Sequence, residues 1–427
     1  MNKLTIKPTQ LSGEIHVPPS KSISHRAIIA AALSHGTSEI TNLMTSDDIE
    51  ATLEGMKALG VKAIREKSSL IIHGININIG EPTTINCRES GSTLRFLIPI
   101  AATISNASIT FSGAKRLGER PLAPYFEIFD SQNLSYDTAS GKLPLHINGK
   151  LTPGEFYLAG NISSQFITGL LFALPLLNGD SVIHVTSPLE SKGYIDLTLD
   201  VLKNFGIMIP NKNYSIFNIP GNQKYKSVNY RIESDYSQAA FWIIAGLIGN
   251  GLVVKGLDPH SLQGDKVILD IISEMGGSYS IEKDSVIVKP SRTRGTIIDA
   301  SQCPDLVPIL AVLGSVSEGT TKIVNASRLR IKESDRLSST TTELNKLGAD
   351  IVETEDGLII TGKEHLNGGI TDSWNDHRIA MAIAVASIKC SKPVTITGCD
   401  SVKKSYPSFW DDFKTLGGVI NELNMGK

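Results

Sequence analysis

The sequence predicts an α/β protein of two domains, a two-domain inside-out α/β barrel in which each domain has three parallel helices buried inside and sheets outside. Two observations support this prediction. Amphipathic helix-like segments that end in a turn recur along the 427 residues, and so do polar stretches that lead into almost wholly apolar helices. Both series repeat at about 70 residues, so the chain contains six repeats. Six buried helices in one core would make a very large domain, so we expect two domains of three repeats each.

The amphipathic series is marked by its turns. A segment such as LEGMKALGVKAI, which begins at Leu53, has one apolar helix face, then a glycine, then short alternating runs typical of strands. Its turn positions lie 69 to 73 residues apart, at Gly60, Asn133, Gly206, Gly276, Gly348 and Gly417. Each repeat therefore contributes one surface helix and a few strands.

The second series begins with VPPSKSISHRAIIAAAL from Val17, where two prolines exclude a preceding helix and Ser20 is a good N-cap. Its equivalent positions lie 68 to 73 residues apart, at Ser22, Ser92, Ser164, Ser237, Asp305 and His377. The starts of such helices present free N–H groups and the positive end of the helix dipole, which suit an anion. We expect the symmetry to bring these starts to one cleft that binds an anionic ligand.

Cations accompany most of these helix starts. They are Lys21, Arg26, Arg95, Arg116, Arg120, Lys332, Arg336, His377, Arg378 and Lys404. Arginine binds carboxylate and phosphate with two parallel hydrogen bonds, so this set predicts substrates that carry several anionic groups. Two carboxylates, Asp305 at the start of a buried helix and Glu333 between Lys332 and Arg336, indicate an acid/base pair inside the anion site.

Composition narrows the class of protein further. The chain has 41 Lys and Arg against 43 Asp and Glu, which argues against nucleic acid as a partner. No apolar run is long enough to cross a membrane and the start MNKLTIKPTQ lacks a signal core, so we expect a cytoplasmic protein. The four cysteines have no close spacing, which predicts no metal site and no disulfide.

The chain also resembles a known family in nine motifs, which follow one another in the same order. They are PSKSISHRA, ESGSTLR, ERP, SSQF, SKGYID, the PD at Pro304, KESDR, NDHR and KSYP. This series is similar to that of the 5-enolpyruvylshikimate-3-phosphate synthases, or 3-phosphoshikimate 1-carboxyvinyltransferases, of the shikimate pathway. The resemblance implies two lobes joined by two crossings, one lobe of residues 19–229 and one of residues 1–18 plus 230–427.

The resemblance also implies which residues meet each substrate. For shikimate 3-phosphate they are Lys21, Ser22, Arg26, Ser163, Ser164, Gln165, Ser191, Tyr194, Asp305 and Lys332. For phosphoenolpyruvate they are Lys21, Gly91, Arg95, Arg120, Gln165, Arg336, His377, Arg378 and Lys404. Only small molecules are implied as partners of a monomer, and the reaction uses no cofactor.

The implied reaction is an addition followed by an elimination in chorismate and aromatic amino acid biosynthesis. The 5-hydroxyl of shikimate 3-phosphate attacks C2 of phosphoenolpyruvate while C3 is protonated, and the tetrahedral intermediate then expels phosphate. Asp305 is expected to be the base and Glu333 the acid, with Lys21 assisting. The resemblance also implies that the protein is a target of the herbicide glyphosate. Many members of the family have a Gly-Asn-Ala-Gly-Thr run where this chain has Arg88-Glu89-Ser90-Gly91-Ser92, which leaves the sensitivity of the protein to glyphosate open.

Other readings of the sequence stay open. The related enolpyruvyl transferase that acts on UDP-N-acetylglucosamine shares the fold, but it typically has a cysteine on a mobile basic loop, and here only Cys87 lies near a cation-rich segment. A non-catalytic anion-binding protein would not need Asp305 or Glu333. An RNA-end cyclase of related fold would be expected to show a basic stripe with exposed aromatic residues. Arg328, four residues before Lys332, has no assigned role.

Overall fold

The computed structural model describes residues 2–66, 69–74, 81–104 and 107–423. The chain forms two compact units, Met1–Pro18 with Glu233–Lys427, here called the split unit, and Pro19–Ile232, here called the continuous unit. The second crossing therefore lies three residues after the position expected from the sequence, 229/230. The reason is that strand Tyr230–Arg231 pairs with Thr37–Thr41, inside the continuous unit.

The helices alternate between two environments in both units. In chain order they are α1 Lys21–Leu33, α2 Asp47–Ala58, α3 Gly91–Ile104, α4 Ala123–Ser131, α5 Ser164–Ala173, α6 Lys192–Asn204, α7 Tyr236–Ile248, α8 Ile268–Glu274, α9 Val307–Ser315, α10 Arg336–Lys346, α11 His377–Ala386 and α12 Phe409–Thr415. The odd-numbered helices are the apolar ones of the sequence and are almost entirely buried, and every residue of α7 is buried. The even-numbered helices bury one face each, which confirms the two predicted helix types.

The strands are short. In chain order they are β1 Lys3–Lys7, β2 Glu14–His16, β3 Thr37–Thr41, β4 Lys62–Glu66, β5 Ser69–His73, β6 Thr83–Asn86, β7 Ile109–Ser112, β8 Ser135–Ala139, β9 Lys142–Asn148, β10 Glu155–Leu158, β11 Ser181–Val185, β12 Asn211–Lys212, β13 Ile216–Ile219, β14 Tyr230–Arg231, β15 Leu252–Lys255, β16 Ser278–Glu282, β17 Ser285–Lys289, β18 Ile297–Asp299, β19 Thr320–Val324, β20 Asp350–Glu353, β21 Leu358–Thr361, β22 Gly369–Asp372, β23 Val394–Thr397 and β24 Val419–Leu423.

The described strands form six four-stranded sheets, three in each unit. The continuous unit has β14-β3-β5-β4, β6-β7-β9-β8 and β10-β11-β13-β12, and the split unit has β2-β15-β17-β16, β18-β19-β21-β20 and β22-β23-β1-β24. In each sheet the first pair is parallel and the other two pairs are antiparallel. The shared pattern is the structural form of the sequence repeat.

The turn positions of the amphipathic series follow the ends of the even-numbered helices, here called the outer helices. All six of them have a left-handed backbone, with φ between 53° at Asn133 and 97° at Gly417. The next residue donates its N–H to the carbonyl five residues back, as Val61 does to Met56 at 3.1 Å and Leu134 to Phe129 at 2.9 Å. This closure needs a residue that tolerates positive φ, so glycine recurs and asparagine replaces it once.

Each unit has its own core around its odd-numbered helices, here called the inner helices. In the continuous unit, Phe96 of α3 packs on Phe172 of α5 with 6.2 Å between ring centroids. In the split unit, Trp242 of α7 stacks on Phe409 at 5.0 Å and donates its indole N–H to the hydroxyl of Tyr406 at 3.0 Å. These rigid cores fix the helix starts that carry the polar residues of interest.

Candidate active site

The start of α1 holds the first predicted cations. Ser20 caps the helix by accepting a hydrogen bond from the N–H of Ile23 at 3.4 Å, as expected from the sequence. Lys21, in the first turn, forms an ion pair with Asp48 of α2 at 3.0 Å. The side chains of both residues are mostly buried, so this pair fixes the ammonium group at the helix start.

Arg26 lies one turn further along α1 and is 2% exposed. Its guanidinium donates to the hydroxyl of Thr198 at 2.9 Å, to the carbonyl of Ser22 at 2.7 Å and to the carbonyl of Tyr194 at 3.0 Å. Burial lowers the pKa of Arg26 to about 10, so the guanidinium stays charged at neutral pH. Because these three partners are uncharged, Arg26 brings a net positive charge to Ser22 and Tyr194, two of the predicted contacts of shikimate 3-phosphate.

A second cluster joins the starts of α3 and α5. Gln165 donates to the hydroxyl of Ser92 at 2.9 Å and accepts a hydrogen bond from Arg95 at 2.7 Å. Gly91 lies so close to Arg120 that a Cβ atom on it would be 2.6 Å from a guanidinium nitrogen. Gly91, Arg95, Arg120 and Gln165, all predicted to meet phosphoenolpyruvate, therefore lie together. Arg120 follows a short 3-10 helix, Lys115–Glu119.

The predicted serines of this unit are all at helix starts. Ser163 caps α5 by accepting from the N–H of Gln165 at 3.3 Å, and Ser164 is the first helical residue. Ser191 precedes α6, is buried, and has a left-handed backbone with φ of 56°. A non-glycine residue in this conformation is uncommon, which indicates that the turn is held by its surroundings.

Arg336 is the centre of the site residues in the split unit. Its guanidinium donates to Asp305 at 2.8 Å, to Glu333 at 2.6 Å and to Asp376 at 2.8 Å. The side chain is 1% exposed, and these three carboxylates outweigh the effect of burial and raise its pKa. Arg336 thus brings the two predicted catalytic carboxylates onto one permanently charged group.

Asp305 receives further cations. Arg378 donates to its carboxylate at 3.2 Å and to its carbonyl at 3.1 Å, and Lys332 lies 3.4 Å from the carboxylate. Burial alone would raise the pKa of Asp305, but Arg378, Lys332 and Arg336 together hold it well below its ordinary value. The residue lies in a 3-10 turn, Pro304–Leu306, which leads directly into α9, so it stands at the start of a buried helix.

The start of α11 carries the last predicted residues. Asp376 caps the helix by accepting from the N–H of Arg378 at 3.0 Å, and His377 is 1% exposed. Lys404 donates to the carbonyl of Asn375 at 2.5 Å, just before the helix. His377, Arg378 and Lys404 therefore converge on one helix start in the split unit. Arg116, the remaining predicted cation, lies within the 3-10 helix that precedes Arg120.

Three acidic residues of these clusters were missed in the sequence. Asp48 pairs with Lys21, Asp376 binds Arg336, and Asp265 is buried near Asp305 and Arg378. Asp376 lies within the NDHR motif, in which only His377 and Arg378 were predicted to be site residues. For Asp48 and Asp265 the sequence carries no signal, because only the fold shows that they are buried beside charged groups.

Arg328 donates to the carbonyl of Ser301 at 2.8 Å.

Cys87 bears on the alternative substrate. It is fully buried, and burial raises the pKa of its thiol, so it cannot serve as the exposed reactive cysteine of the UDP-N-acetylglucosamine enzymes. In the described part of the chain, no cluster of three or more His, Cys, Asp or Glu side chains is arranged to hold a metal ion. No helix among the described residues has the length and apolar character needed to span a membrane.

The repeats and the two clusters of cations define a protein for anionic ligands that is built from six copies of one unit. Residues 6–413 match the family model of EPSP synthase (3-phosphoshikimate 1-carboxyvinyltransferase). The chain is 55% identical, over the whole of both chains, to a 3-phosphoshikimate 1-carboxyvinyltransferase of Clostridium novyi and to one of Clostridium kluyveri. A solved EPSP synthase from Acinetobacter baumannii has a TM-score of 0.83 at 25% identity and covers 99% of this chain and 100% of its own.

The chain belongs to the EPSP synthase family. It transfers the enolpyruvyl group of phosphoenolpyruvate to shikimate 3-phosphate in the shikimate pathway, and both substrates are small molecules. The predicted fold and function are confirmed.

Gly91 provides a test of the close contact with Arg120. Gly91→Ala is expected to raise the Michaelis constant for phosphoenolpyruvate about tenfold and to leave that for shikimate 3-phosphate within about twofold, because the added Cβ displaces the Arg120 guanidinium. Steady-state kinetics with each substrate varied in turn measures both constants. Gly118→Ala is the control, because nothing lies within 4 Å of a Cβ there. Equal changes in both constants would contradict the predicted contact of Arg120 with phosphoenolpyruvate.

Asp265 predicts a pH dependence of stability. Burial, with the nearby Asp305 carboxylate, raises the pKa of Asp265 to about 7, although Arg378 opposes the shift. The unfolded chain, with a pKa of about 3.9, then binds fewer protons than the native state between these two values. This group therefore lowers the free energy of unfolding as pH rises from about 4 to 7 and adds no slope above that.

Asp265→Asn should remove this contribution. Relative to the parent, the variant is expected to become progressively more stable from about pH 4.5 to about pH 7, and the difference should then level off. Urea unfolding at four pH values across this range measures it. If the two stability curves run parallel throughout, Asp265 does not have a raised pKa in the native state.

Proposed function

We propose that each substrate is bound by the residues that the sequence motifs assign to it, some of them in each unit. In the continuous unit, Lys21, Ser22, Arg26, Ser163, Ser164, Gln165, Ser191 and Tyr194 contact shikimate 3-phosphate, and Lys21, Gly91, Arg95, Arg120 and Gln165 contact phosphoenolpyruvate. In the split unit, Asp305 and Lys332 contact shikimate 3-phosphate. Phosphoenolpyruvate is contacted there by Arg336, His377, Arg378 and Lys404. The family gives the reaction, and these assignments are our proposal for its site.

The observation that supports the proposal most strongly is the bonding of Arg336. One buried guanidinium binds both Asp305 and Glu333, so the carboxylates that we propose as base and acid share one fixed positive charge. Asp305 is ionised because its cations hold its pKa low, and an ionised carboxylate can accept the proton of the 5-hydroxyl. Charged donors at fixed positions also stabilise the charge of the intermediate without reorganisation.

These positions support the following proposed steps. Asp305 removes the 5-hydroxyl proton as the oxygen attacks C2 of phosphoenolpyruvate, and Glu333, assisted by Lys21, delivers a proton to C3. In the elimination, Glu333 takes a proton back from C3 as the bond between C2 and the phosphate oxygen breaks, and the departing phosphate takes the proton held by Asp305. The double bond of the product and both carboxyl groups are thereby restored. The arginines and lysines hold the carboxylate and phosphate groups, so two anions are brought together in reacting geometry.

Single substitutions can test the division of the site. Arg120→Ala and Arg378→Ala are expected to raise the Michaelis constant for phosphoenolpyruvate at least ~10-fold more than that for shikimate 3-phosphate, and Arg26→Ala the reverse, because each removes charged hydrogen bonds to one substrate. Initial-rate kinetics gives both constants. Arg292→Ala, at a surface arginine, is the control. Equal weakening of both substrates by all three variants would refute the division.

We also propose that the protein acts as a monomer in the cytoplasm and without nucleic acid. A net charge of -2 gives no electrostatic attraction to a polyanion, and the four cysteines are buried free thiols, as suits a reducing compartment. Light scattering of the purified protein measures its mass, and a dimer at micromolar concentration would contradict the monomer.

A further inference from the structure

Glu343 is a buried carboxylate of α10 that the proposed chemistry does not use. It is 1% exposed, although α10 is an outer helix with a polar face. Its two oxygens accept the indole N–H of Trp374 at 2.7 Å and the backbone N–H of Asp372 at 2.9 Å. Lys346 also pairs with it at 2.9 Å from a partly exposed position. Burial of a carboxylate is costly, and these three donors offset that cost.

Two of the three partners of Glu343, Trp374 and Asp372, belong to the turn of residues 372–376. Trp374 and Asn375 follow each other in the left-handed conformation, each with φ of 53°. Two such non-glycine residues in succession are strained, so the turn persists only because its surroundings hold it. Asp372 holds it from within by accepting the N–H of Trp374 at 2.6 Å, and Ser373 accepts that of Asn375 at 3.2 Å.

The turn leads directly into the site. Its Asn375 carbonyl accepts the Lys404 ammonium at 2.5 Å, and its Asp376 carboxylate caps α11 and binds Arg336 at 2.8 Å. Arg378 follows two residues later, with its guanidinium on Asp305. The shape of the turn thus sets three cations that we assign to phosphoenolpyruvate.

We propose that Glu343 is a positioning residue, which holds the turn 372–376 through Trp374 and Asp372 and thereby sets the phosphoenolpyruvate contacts of Arg336, Arg378 and Lys404. Glu343 acts through the turn, because its bonds go to Trp374, Asp372 and Lys346 and not to these three cations. This inference rests on the proposed assignment of those cations to phosphoenolpyruvate.

Glu343→Gln tests the inference with little change in shape. A glutamine has one carbonyl oxygen, so it cannot accept both the indole and the Asp372 N–H in the present geometry, where each goes to a different oxygen. We expect the Michaelis constant for phosphoenolpyruvate to rise about tenfold and that for shikimate 3-phosphate to stay within about twofold, as for one lost charged hydrogen bond. Amide hydrogen exchange of residues 373–376 should be faster. A merely structural role would lower stability without separating the two constants.

Two further variants keep the test decisive. Trp374→Phe removes only the indole donor at a partly exposed residue, so it should fold and show a smaller change of the same kind, about threefold. Lys346→Met removes the third partner of Glu343, which lies outside the turn, and should change neither exchange nor kinetics.

The outcomes separate this inference from the site assignment. Unchanged amide exchange of the turn in Glu343→Gln and Trp374→Phe would overturn the positioning role, whatever the kinetics. Faster exchange with equal rises in both Michaelis constants would show that the turn is anchored by Glu343 but that these cations do not serve phosphoenolpyruvate alone. That second result would overturn the proposed assignment on which the inference rests.

Discussion

Asp305→Asn is expected to lose turnover by at least ~100-fold while binding shikimate 3-phosphate within about tenfold of the parent. Asparagine has nearly the same shape but cannot accept a proton. The Arg336, Arg378 and Lys332 side chains that surround residue 305 all remain, so the attraction for an anion is kept or increased. Rate constants and calorimetric binding of shikimate 3-phosphate, measured on the same preparation, separate the two effects.

The matched control is Asp270→Asn, at an exposed aspartate of α8 in the same unit. It should leave turnover and binding at the parental values. Turnover of Asp305→Asn within tenfold of the parent would show that Asp305 is a structural partner of the cations and not the base.

Glu333→Gln should lose turnover to a similar extent and should also stop solvent exchange at C3 of phosphoenolpyruvate. Deuterium enters the vinyl group only if C3 is protonated from solvent and the addition then reverses. The glutamine side chain would still be able to accept a hydrogen bond from Arg336 through its amide oxygen, but it has no acidic proton to deliver. Proton NMR of the vinyl signals in heavy water, with shikimate 3-phosphate present, measures the exchange directly.

Glu274→Gln is the control for this experiment, because that glutamate is exposed on α8. Exchange in Glu333→Gln at the parental rate would remove Glu333 from the acid role. Lys21 would then be the candidate, since its ammonium is fixed at the start of α1 by Asp48.

The repeat made the fold predictable because each copy meets the same local demands. All six outer helices end in a left-handed residue, so the glycine series with one asparagine recurs at a fixed interval. The inner helices are apolar on all sides because they are buried on all sides, and that too can be read from sequence. The crossing near residue 230 was less predictable, because a two-residue strand, β14, decides it.

The cations were predictable in a way that their carboxylate partners were not. A buried arginine needs a functional or structural reason, and Arg26 stands out within the apolar α1 and Arg336 in the charged run KESDR. Asp48 and Glu343 look like ordinary residues of amphipathic helices, and only the packing of neighbouring elements shows that they are buried. Their role depends on contacts across 27 or 31 residues of sequence, as in Lys21 with Asp48 and Glu343 with Trp374, which no local pattern records.

The central claim, addition and elimination at C2 of phosphoenolpyruvate, is tested most directly by the fate of the oxygen that bridges C2 and phosphorus. With phosphoenolpyruvate labelled by oxygen-18 at that bridge, the purified protein and shikimate 3-phosphate should release phosphate that carries all of the label, because elimination breaks the C2–O bond. Phosphorus NMR resolves labelled from unlabelled phosphate. Unlabelled phosphate, or no release that depends on shikimate 3-phosphate from the folded protein, would contradict the account.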